Sequence, residues 1–360
     1  MKISHICVNY GTPLFRELFN ALNSHEIEQS VFYPRNKKNL IVDLAPPYHV
    51  DSPLVLNKLT RLSFQKKRKI MQEYYDPLFQ RNKPDLIHAH TLFSDGSLAN
   101  YYNKAYGVPY IVAIRSTDID VFLNSKPWLK QYGKQILNNA SYIIFISNSL
   151  KRKFQEKFGP HYEPKSLVIS NGIHQSYLTK KILQEREPHD PPLLLYVGSF
   201  LKRKNVPALI KNAEKYQTRL TIAGEGGNDE KKVLKMARNS SKVNYLGRIE
   251  DQTQLIEIYR QSDIFIMLSK KETFGLVYLE AMSQGLPLIY STGTGIDGLF
   301  TEGEVGFAID PDSPGDIYSA IQRIISDYQA MSKRCIKESM GFSWENISNK
   351  YFEIYKKSLI

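Results

Sequence analysis

The stretch DIFIMLSKKETFGLVYLEAMSQGLPLIYST, residues 263–292, decides the fold. DIFIMLS is a short continuous apolar run, the kind that forms a strand covered on both faces. Thr273 is a good helix N-cap, and the helix it predicts runs from about Phe274 to Gln284. Gly285 and Pro287 stop it, and PLIYST reads as the next buried strand. Strand, helix and strand in that order are a crossover unit of a parallel sheet. Two carboxylates flank the apolar centre: Glu272 just ahead of the helix and Glu280 inside it.

The same rhythm extends in both directions. Upstream in the second half, LLLYVGSF, RLTIAGEG and KVNYLGRI are each followed by a helical stretch. Glu304 to Phe307 reads as turns, and SWENISNKYFEIYKKSL as one amphipathic helix with Ile347, Tyr351, Ile354 and Tyr355 on a shared face. The first half alternates similarly through ISHICVNY, DLIHAHTLF, PYIVAIRS, SYIIFISN and SLVIS. Residues 170–192, polar and ending in prolines, break the pattern and read as the interdomain connection. The expected fold class is α/β, with two Rossmann-like doubly wound domains facing a central cleft, 1–172 and 173–340. In such sheets ligands gather at the carboxyl ends of the strands.

Length and composition fit this reading. The chain has 360 residues, 42% hydrophobic and 23% charged, enough for two ordinary cores. MKISHICVNYG begins as a strand and lacks the plan of a signal peptide. No apolar run is long enough to cross a membrane as a helix. Two cysteines, Cys7 and Cys335, cannot build a disulfide framework and read as buried thiols of a reducing, cytoplasmic compartment. The net charge of +12 is uneven: residues 1–175 carry 23 Lys/Arg against 13 Asp/Glu, the remainder 25 against 23. The excess sits mainly in residues 57–72 and 149–159, and it favours an anionic partner or else a solvated helix face.

The chemistry is expected at the helix start. The amides of Phe274, Gly275 and Leu276 lack partners within the helix, and with the helix dipole they form a seat for phosphate. Gly275 lets a ligand approach closely. Glu280 would lie roughly 9 Å along the axis, where a carboxylate accepts two bonds from a vicinal diol. Glu272 would point into the cleft and hold a second sugar. The bland alternatives are a charge favourably placed at a helix start for Glu272, and an exposed helix position for Glu280.

E-T-F-G-L-x-x-x-E-A-M-x-x-G-x-P resembles the E-x7-E signature of glycosyltransferase family 4, retaining enzymes of GT-B fold. YVGSFLKRKNVPALIKN, LTIAGEG, NYLGRIED and FSWENI stand where that family has similar segments. The resemblance covers nearly all of the second half, and in the first half rests on DLIHAH, PYIVAIRSTD and the turn at 170–173. It implies a C-terminal helix, residues 341–360, crossing back to the N-terminal domain, which would bind acceptor. It implies that Glu280 binds the nucleotide ribose, that Glu272 and the amides from Thr273 to Leu276 contact donor sugar and phosphate, and that Lys204 neutralises the diphosphate. Gly247, Arg248 and Ile249 would face the base, and Gly11 would approach the donor from the first domain. The reaction implied moves a sugar from a nucleotide-diphosphate sugar to a hydroxyl acceptor with retention, using no metal and no cofactor. The setting would be polysaccharide or glycolipid synthesis, in the cytoplasm or on the inner face of a membrane.

Two positions depart from the family pattern. Ser199 stands where an arginine is usual, and Lys202 or Arg203 would supply that charge. Arg115, in RSTD, stands where many members have histidine. Arginine cannot serve as a base, so Arg115 either stabilises developing phosphate charge or pairs with Asp118 or Asp120. His90 and Asp118 are candidates for the acceptor cleft. His88 and His90 share a strand face but lack a third metal partner in view. Asp118-Ile119-Asp120 matches the D-x-D pattern of metal sites, and Gly293 to Gly298 matches G-x-G-x-x-G without the long helix a dinucleotide needs. The competing functions are a nucleotide-sugar 2-epimerase on the same architecture and a non-catalytic basic protein binding nucleotide or membrane; no nucleic-acid motif is present. Lys66 to Lys69, with Leu59 and Leu62, are the expected docking points on an anionic membrane.

Overall fold

The computed structural model describes residues 1–37, 46–57, 60, 63–178 and 187–360. It comprises two compact units. The first unit holds residues 1–146, 150–172 and 344–360; the second holds 147–149 and 173–343. Leu59, Leu62 and residues 179–186 of the connection lie outside the described residues.

The first unit contains the strands β1 (Lys2–Ile6), β2 (Glu28–Phe32), β3 (Arg35–Asn36), β4 (His49–Asp51), β5 (Leu54–Leu56), β6 (Leu86–Ala89), β7 (Tyr110–Ala113), β8 (Tyr142–Phe145) and β9 (Ser166–Val168). Seven of them form one parallel sheet in the order β4-β2-β1-β6-β7-β8-β9. The connections include α1 (Pro13–Leu22), α2 (Phe64–Asn82), α3 (Asp95–Tyr106), α4 (Leu129–Asn139) and α5 (Asn148–Phe158). The strand order reverses between β1 and β6, so the loops after these two strands flank the switch point of this sheet.

The second unit contains α6 (Gln175–Leu178), β10 (Leu193–Val197), α7 (Val206–Lys215), β11 (Arg219–Ala223), α8 (Glu230–Arg238), β12 (Val243–Gly247), α9 (Gln252–Gln261), β13 (Ile264–Met267), α10 (Leu276–Ser283), β14 (Leu288–Ser291), β15 (Gly306–Ile309), α11 (Ile317–Ser326) and α12 (Tyr328–Ser339). Its six strands are parallel in the order β12-β11-β10-β13-β14-β15. Here the order reverses between β10 and β13. Glu304 to Phe307, read as turns, is turn only as far as Val305, because Gly306 already pairs with Leu288 as the first residue of β15.

The last helix, α13 (Trp344–Lys357), belongs to the first unit. Its apolar stripe of Ile347, Tyr351, Ile354 and Tyr355 is buried with Phe15, Leu18, Phe19 and Leu22 of α1. His25 stacks on Phe352 with ring centres 4.6 Å apart, and its Nε2 lies 3.0 Å from Ser348 Oγ. Cys7 and Cys335 are both buried and unpaired.

Candidate active site

The switch point of the second unit brings together the loop after β10 and the loop after β13. The amide of Lys270 donates to the carbonyl of Arg203 at 2.7 Å, tying the two loops to each other. Lys204 ends a short 3₁₀ turn in the first loop, and its ammonium forms an ion pair with Glu272 Oε2 from the second. Their side chains are 12% and 10% exposed, so the pair is largely withdrawn from water. Lys204 Nζ also lies 3.4 Å from Met267 Sδ, and Arg203 approaches Glu272 Oε2 at 3.6 Å. The other carboxylate oxygen of Glu272 accepts from the Thr273 amide at 3.0 Å.

Glu272 is held by the glycine-rich turn that resembled a dinucleotide motif. Its amide donates to Thr294 Oγ1, whose hydroxyl donates back to the Glu272 carbonyl, each at 2.7 Å. The Gly295 amide also donates to that carbonyl at 3.0 Å. The turn therefore serves as a brace for the acidic loop. Its role was hidden in the sequence because Thr294 follows a different strand, 22 residues away.

Helix α10 begins two residues later than expected. Phe274 is buried near Phe342 instead of forming the first turn, and Gly275 caps the helix in the left-handed region at φ 87°. Thr273 is consequently not the cap. A Cβ on Gly275 would lie 2.8 Å from the Tyr278 ring, so both backbone angle and space demand glycine. Gly275→Ala is expected to lower stability by about 2 kcal/mol or more, which thermal denaturation would register. The stop at Gly285 holds, in the left-handed region at φ 81°.

Glu280 lies four residues beyond Leu276, about 6 Å along the axis, closer to the helix start than the expected 9 Å. It is not an exposed helix position. Tyr259 of α9 donates to Glu280 Oε2 at 3.1 Å, and Tyr177 of α6 also hydrogen-bonds the carboxyl. Burial pushes this carboxyl up to about 7, although the two hydroxyls favour its charged form. Neither tyrosine was singled out from sequence, since tyrosines are common in cores and each lies on a different helix.

Gly198, Ser199, Gly224, Glu225, Arg248 and Ile249 line a cavity of about 330 Å³ at the carboxyl ends of β10, β11 and β12. Its walls meet closely: a Cβ on Gly224 would fall 1.9 Å from the Gly198 carbonyl oxygen. Gly247 beside it takes φ 73° with open space around its Cα. The Arg248 side chain is turned outward, pairing with Glu225 at 3.0 Å and Glu250 at 3.3 Å. A larger cavity of about 560 Å³, lined by Leu220, Asn244 and Ile258, shares Ile249 with it. That cavity lies along the sheet beside α9 and includes the amino ends of β10 to β12, away from Lys204 and Glu272. The smaller cavity is therefore the better candidate for a nucleotide.

The remaining candidates lie in the first unit. Gly11 follows β1 and faces Tyr33, whose hydroxyl would be 2.5 Å from a Cβ there. Arg115 follows β7; its Nε donates to the His90 carbonyl at 3.0 Å, and its guanidinium lies 5.0 Å from the Phe15 ring centre. Asp118, one of the two acids offered as an alternative partner for Arg115, does not form an ion pair with this side chain. Its Oδ2 instead accepts from the amides of Arg115 at 2.9 Å and Leu92 at 3.1 Å. Asp118 is fully buried while Asp120 is half-buried. Burial raises the Asp118 carboxyl to about 6 against the pull of those amides. His90 is fully buried as well.

The structure supplies the third histidine that the strand pattern did not show. His5 of β1 joins His88 and His90, and among the described residues these three form the one cluster suited to a metal ion. His5 Nδ1 and His90 Nε2 lie 3.2 Å apart, and His88 Nδ1 lies 2.8 Å from Tyr355 OH of α13. The nitrogens without partners are His5 Nε2, His88 Nε2 and His90 Nδ1. If all three held a metal, both His5 Nδ1 and His90 Nε2 would carry protons and face each other. That metal would therefore break a hydrogen bond the cluster already has. Burial keeps all three neutral, with His5 down to about 3 and the others well below the usual value. Because the folded values are lowered, stability is expected to fall as pH drops below about 6.5, where the unfolded imidazoles take up protons. Denaturant melts across pH 7 to 4 would show the loss, and His5→Gln would shrink its slope.

Residues 179–340 match the description "Glycosyl transferases group 1" and residues 14–177 match "Glycosyltransferase Family 4". The chain belongs to glycosyltransferase family 4. It is therefore an enzyme, which sets aside the non-catalytic alternative. The N-acetyl-alpha-D-glucosaminyl L-malate synthase of Bacillus anthracis is 26% identical over 295 residues, 77% of this chain and 75% of that one. Among solved structures, the apo lipopolysaccharide outer core galactosyltransferase WaaB superposes with TM-score 0.75 at 21% identity, over 99% of this chain and 100% of that one. Anabaena HepE in complex with UDP superposes with TM-score 0.70 at 17% identity, over the same shares. Both show the GT-B fold for this glycosyltransferase.

Proposed function

We propose that the enzyme moves a sugar from a nucleoside-diphosphate sugar to a hydroxyl acceptor with retention of anomeric configuration and without a metal ion. The observation that carries this reading is the buried Lys204–Glu272 pair at the β10/β13 switch point, next to the start of α10. The diphosphate rests on the α10 amides and Lys204. Glu280 grips the ribose, and the base enters the cavity lined by Ser199 and Ile249 beside Gly247 and Arg248. Glu272 contacts the donor sugar together with the segment from Thr273 to Leu276. As the bond from the anomeric carbon to the diphosphate oxygen breaks, the electron pair leaves with the diphosphate and positive charge builds on the sugar; the acceptor hydroxyl oxygen bonds the anomeric carbon on the same face, and its proton passes to the departing diphosphate oxygen. Lys204 and the amides stabilise the departing charge without reorganising. In the first unit, His90 and Asp118 shape the Arg115 loop that would face the acceptor. Structures of similar fold with nucleotides bound, including HepE with UDP-glucose, support a nucleotide-sugar donor. The basic first unit suits a lipid-linked or other acceptor at an anionic membrane surface.

A screen of UDP-, GDP- and ADP-sugars for donor hydrolysis tests the reading. One donor should release nucleoside diphosphate in the presence of EDTA, and the transferred sugar should keep its anomeric configuration. Loss of turnover in EDTA, or an isomerised nucleotide sugar in place of free diphosphate, would contradict it.

A further inference from the structure

Two acid-free stretches meet on the first unit. Residues 52–72 contain no Asp or Glu and place Lys66, Lys67, Arg68 and Lys69 in the first turns of α2. Residues 121–155 contain none either, and carry Lys126, Lys130 and Lys134 on the segment leading into α4 and on that helix. Aromatic rings join the two. Phe122 packs edge-on to Phe64 at 5.2 Å and to Phe93 at 6.1 Å, and Lys126 Nζ lies 5.7 Å from the Phe64 ring centre. Lys67 Nζ donates to Ser94 Oγ at 2.7 Å, fixing α2 against the start of α3.

The apolar members of this surface are not covered. Trp128, immediately before α4 and between Lys126 and Lys130, is 70% exposed, and Val121 is 51% exposed. The acids that bound the stretches are Asp51 and Glu73 for the first, Asp120 and Glu156 for the second; Glu73 is exposed and Asp120 half-buried, while Asp76, further along α2, is engaged by the Tyr102 hydroxyl. An exposed indole on a segment rich in lysine and free of acids has the amphipathic character of a side chain at a lipid–water interface.

We propose that this surface docks on an anionic lipid bilayer, with Trp128 and Val121 entering the interfacial layer and the lysines set over headgroup phosphates. Nucleic acid would instead ask for several stacking rings along a groove, and here one indole stands with an aliphatic partner. The proposal rests on the membrane reading above and adds a second lipid contact to α2. Donor binding in the second unit is independent of it.

The chain has two tryptophans, so Trp344→Phe leaves Trp128 as the reporter. With phosphatidylcholine vesicles containing phosphatidylglycerol, its emission is expected to shift to the blue and to be quenched by brominated lipid. Pure phosphatidylcholine vesicles should leave it unchanged, and high salt should reverse the shift. Trp128→Ala is expected to weaken partitioning about tenfold, and Lys66→Gln with Lys69→Gln and Lys130→Gln about a hundredfold. Equal binding to neutral vesicles would overturn the proposal. So would an unshifted indole on anionic vesicles, or a soluble polyanion bound in preference to them. Stabilisation by whichever of UDP, GDP or ADP the wild type binds should survive in every variant. A wild type that none of the three stabilises would contradict the donor reading and leave the vesicle result standing.

Discussion

Lys204→Ala is expected to lower kcat at least 100-fold, the usual cost of removing one preorganised group from developing negative charge. The enzyme should remain folded, because Arg203 stays 3.6 Å from the stranded Glu272 carboxylate. The reverse change, Glu272→Ala, is the more disruptive for stability. It leaves the Lys204 ammonium, 12% exposed, without its carboxylate and 3.4 Å from Met267 Sδ. Removing one partner of a buried pair costs about 3 kcal/mol or more. The double variant Lys204→Met with Glu272→Gln separates the two roles. If the pair were only structural, the double variant would regain stability and activity together. The stability is expected to return while the turnover stays low, as steady-state kinetics alongside denaturant melts would read.

Glu280→Gln is expected to weaken donor binding by about 30-fold or more, since a neutral amide replaces charge-assisted bonds to two hydroxyls. It should also make the free enzyme more stable at pH 8. The Glu280 carboxyl, raised from 4.5 to about 7, binds more protons folded than unfolded between those values. Stability from this group is thus fully present below about pH 4.5 and lost as pH rises through 7. The loss at pH 8 is about 3 kcal/mol. Wild-type donor affinity should rise across pH 6 to 8 as the carboxylate forms, and Glu280→Gln should flatten that profile. A variant that binds donor normally yet melts higher would mean that Glu280 is a buried strain with no ligand role.

Much of this was legible from short-range pattern. Apolar runs separated by helical periods gave the strands, and Gly285 after Ser283 marked the end of α10, because these signals act within a few residues. The start of α10 was misplaced because burial of Phe274 outweighed the capping preference of Thr273. Contacts across the fold left no local trace. Thr294 bracing Glu272, Tyr177 and Tyr259 enclosing Glu280, and His5 completing the histidine cluster each depend on elements distant in sequence. The carboxylate of Asp118, in a D-x-D pattern of the kind chance alone supplies, accepts from backbone amides that include those of Leu92 and Arg115.

A crystal structure with whichever of UDP, GDP or ADP stabilises the enzyme most tests whether Lys204, Glu272 and the first turn of α10 hold the donor diphosphate. Phosphate density is expected within hydrogen-bond distance of Lys204 Nζ and the Leu276 amide, with ribose hydroxyls on Glu280. Phosphates bound away from that helix start, with the Lys204–Glu272 pair undisturbed, would contradict that placement.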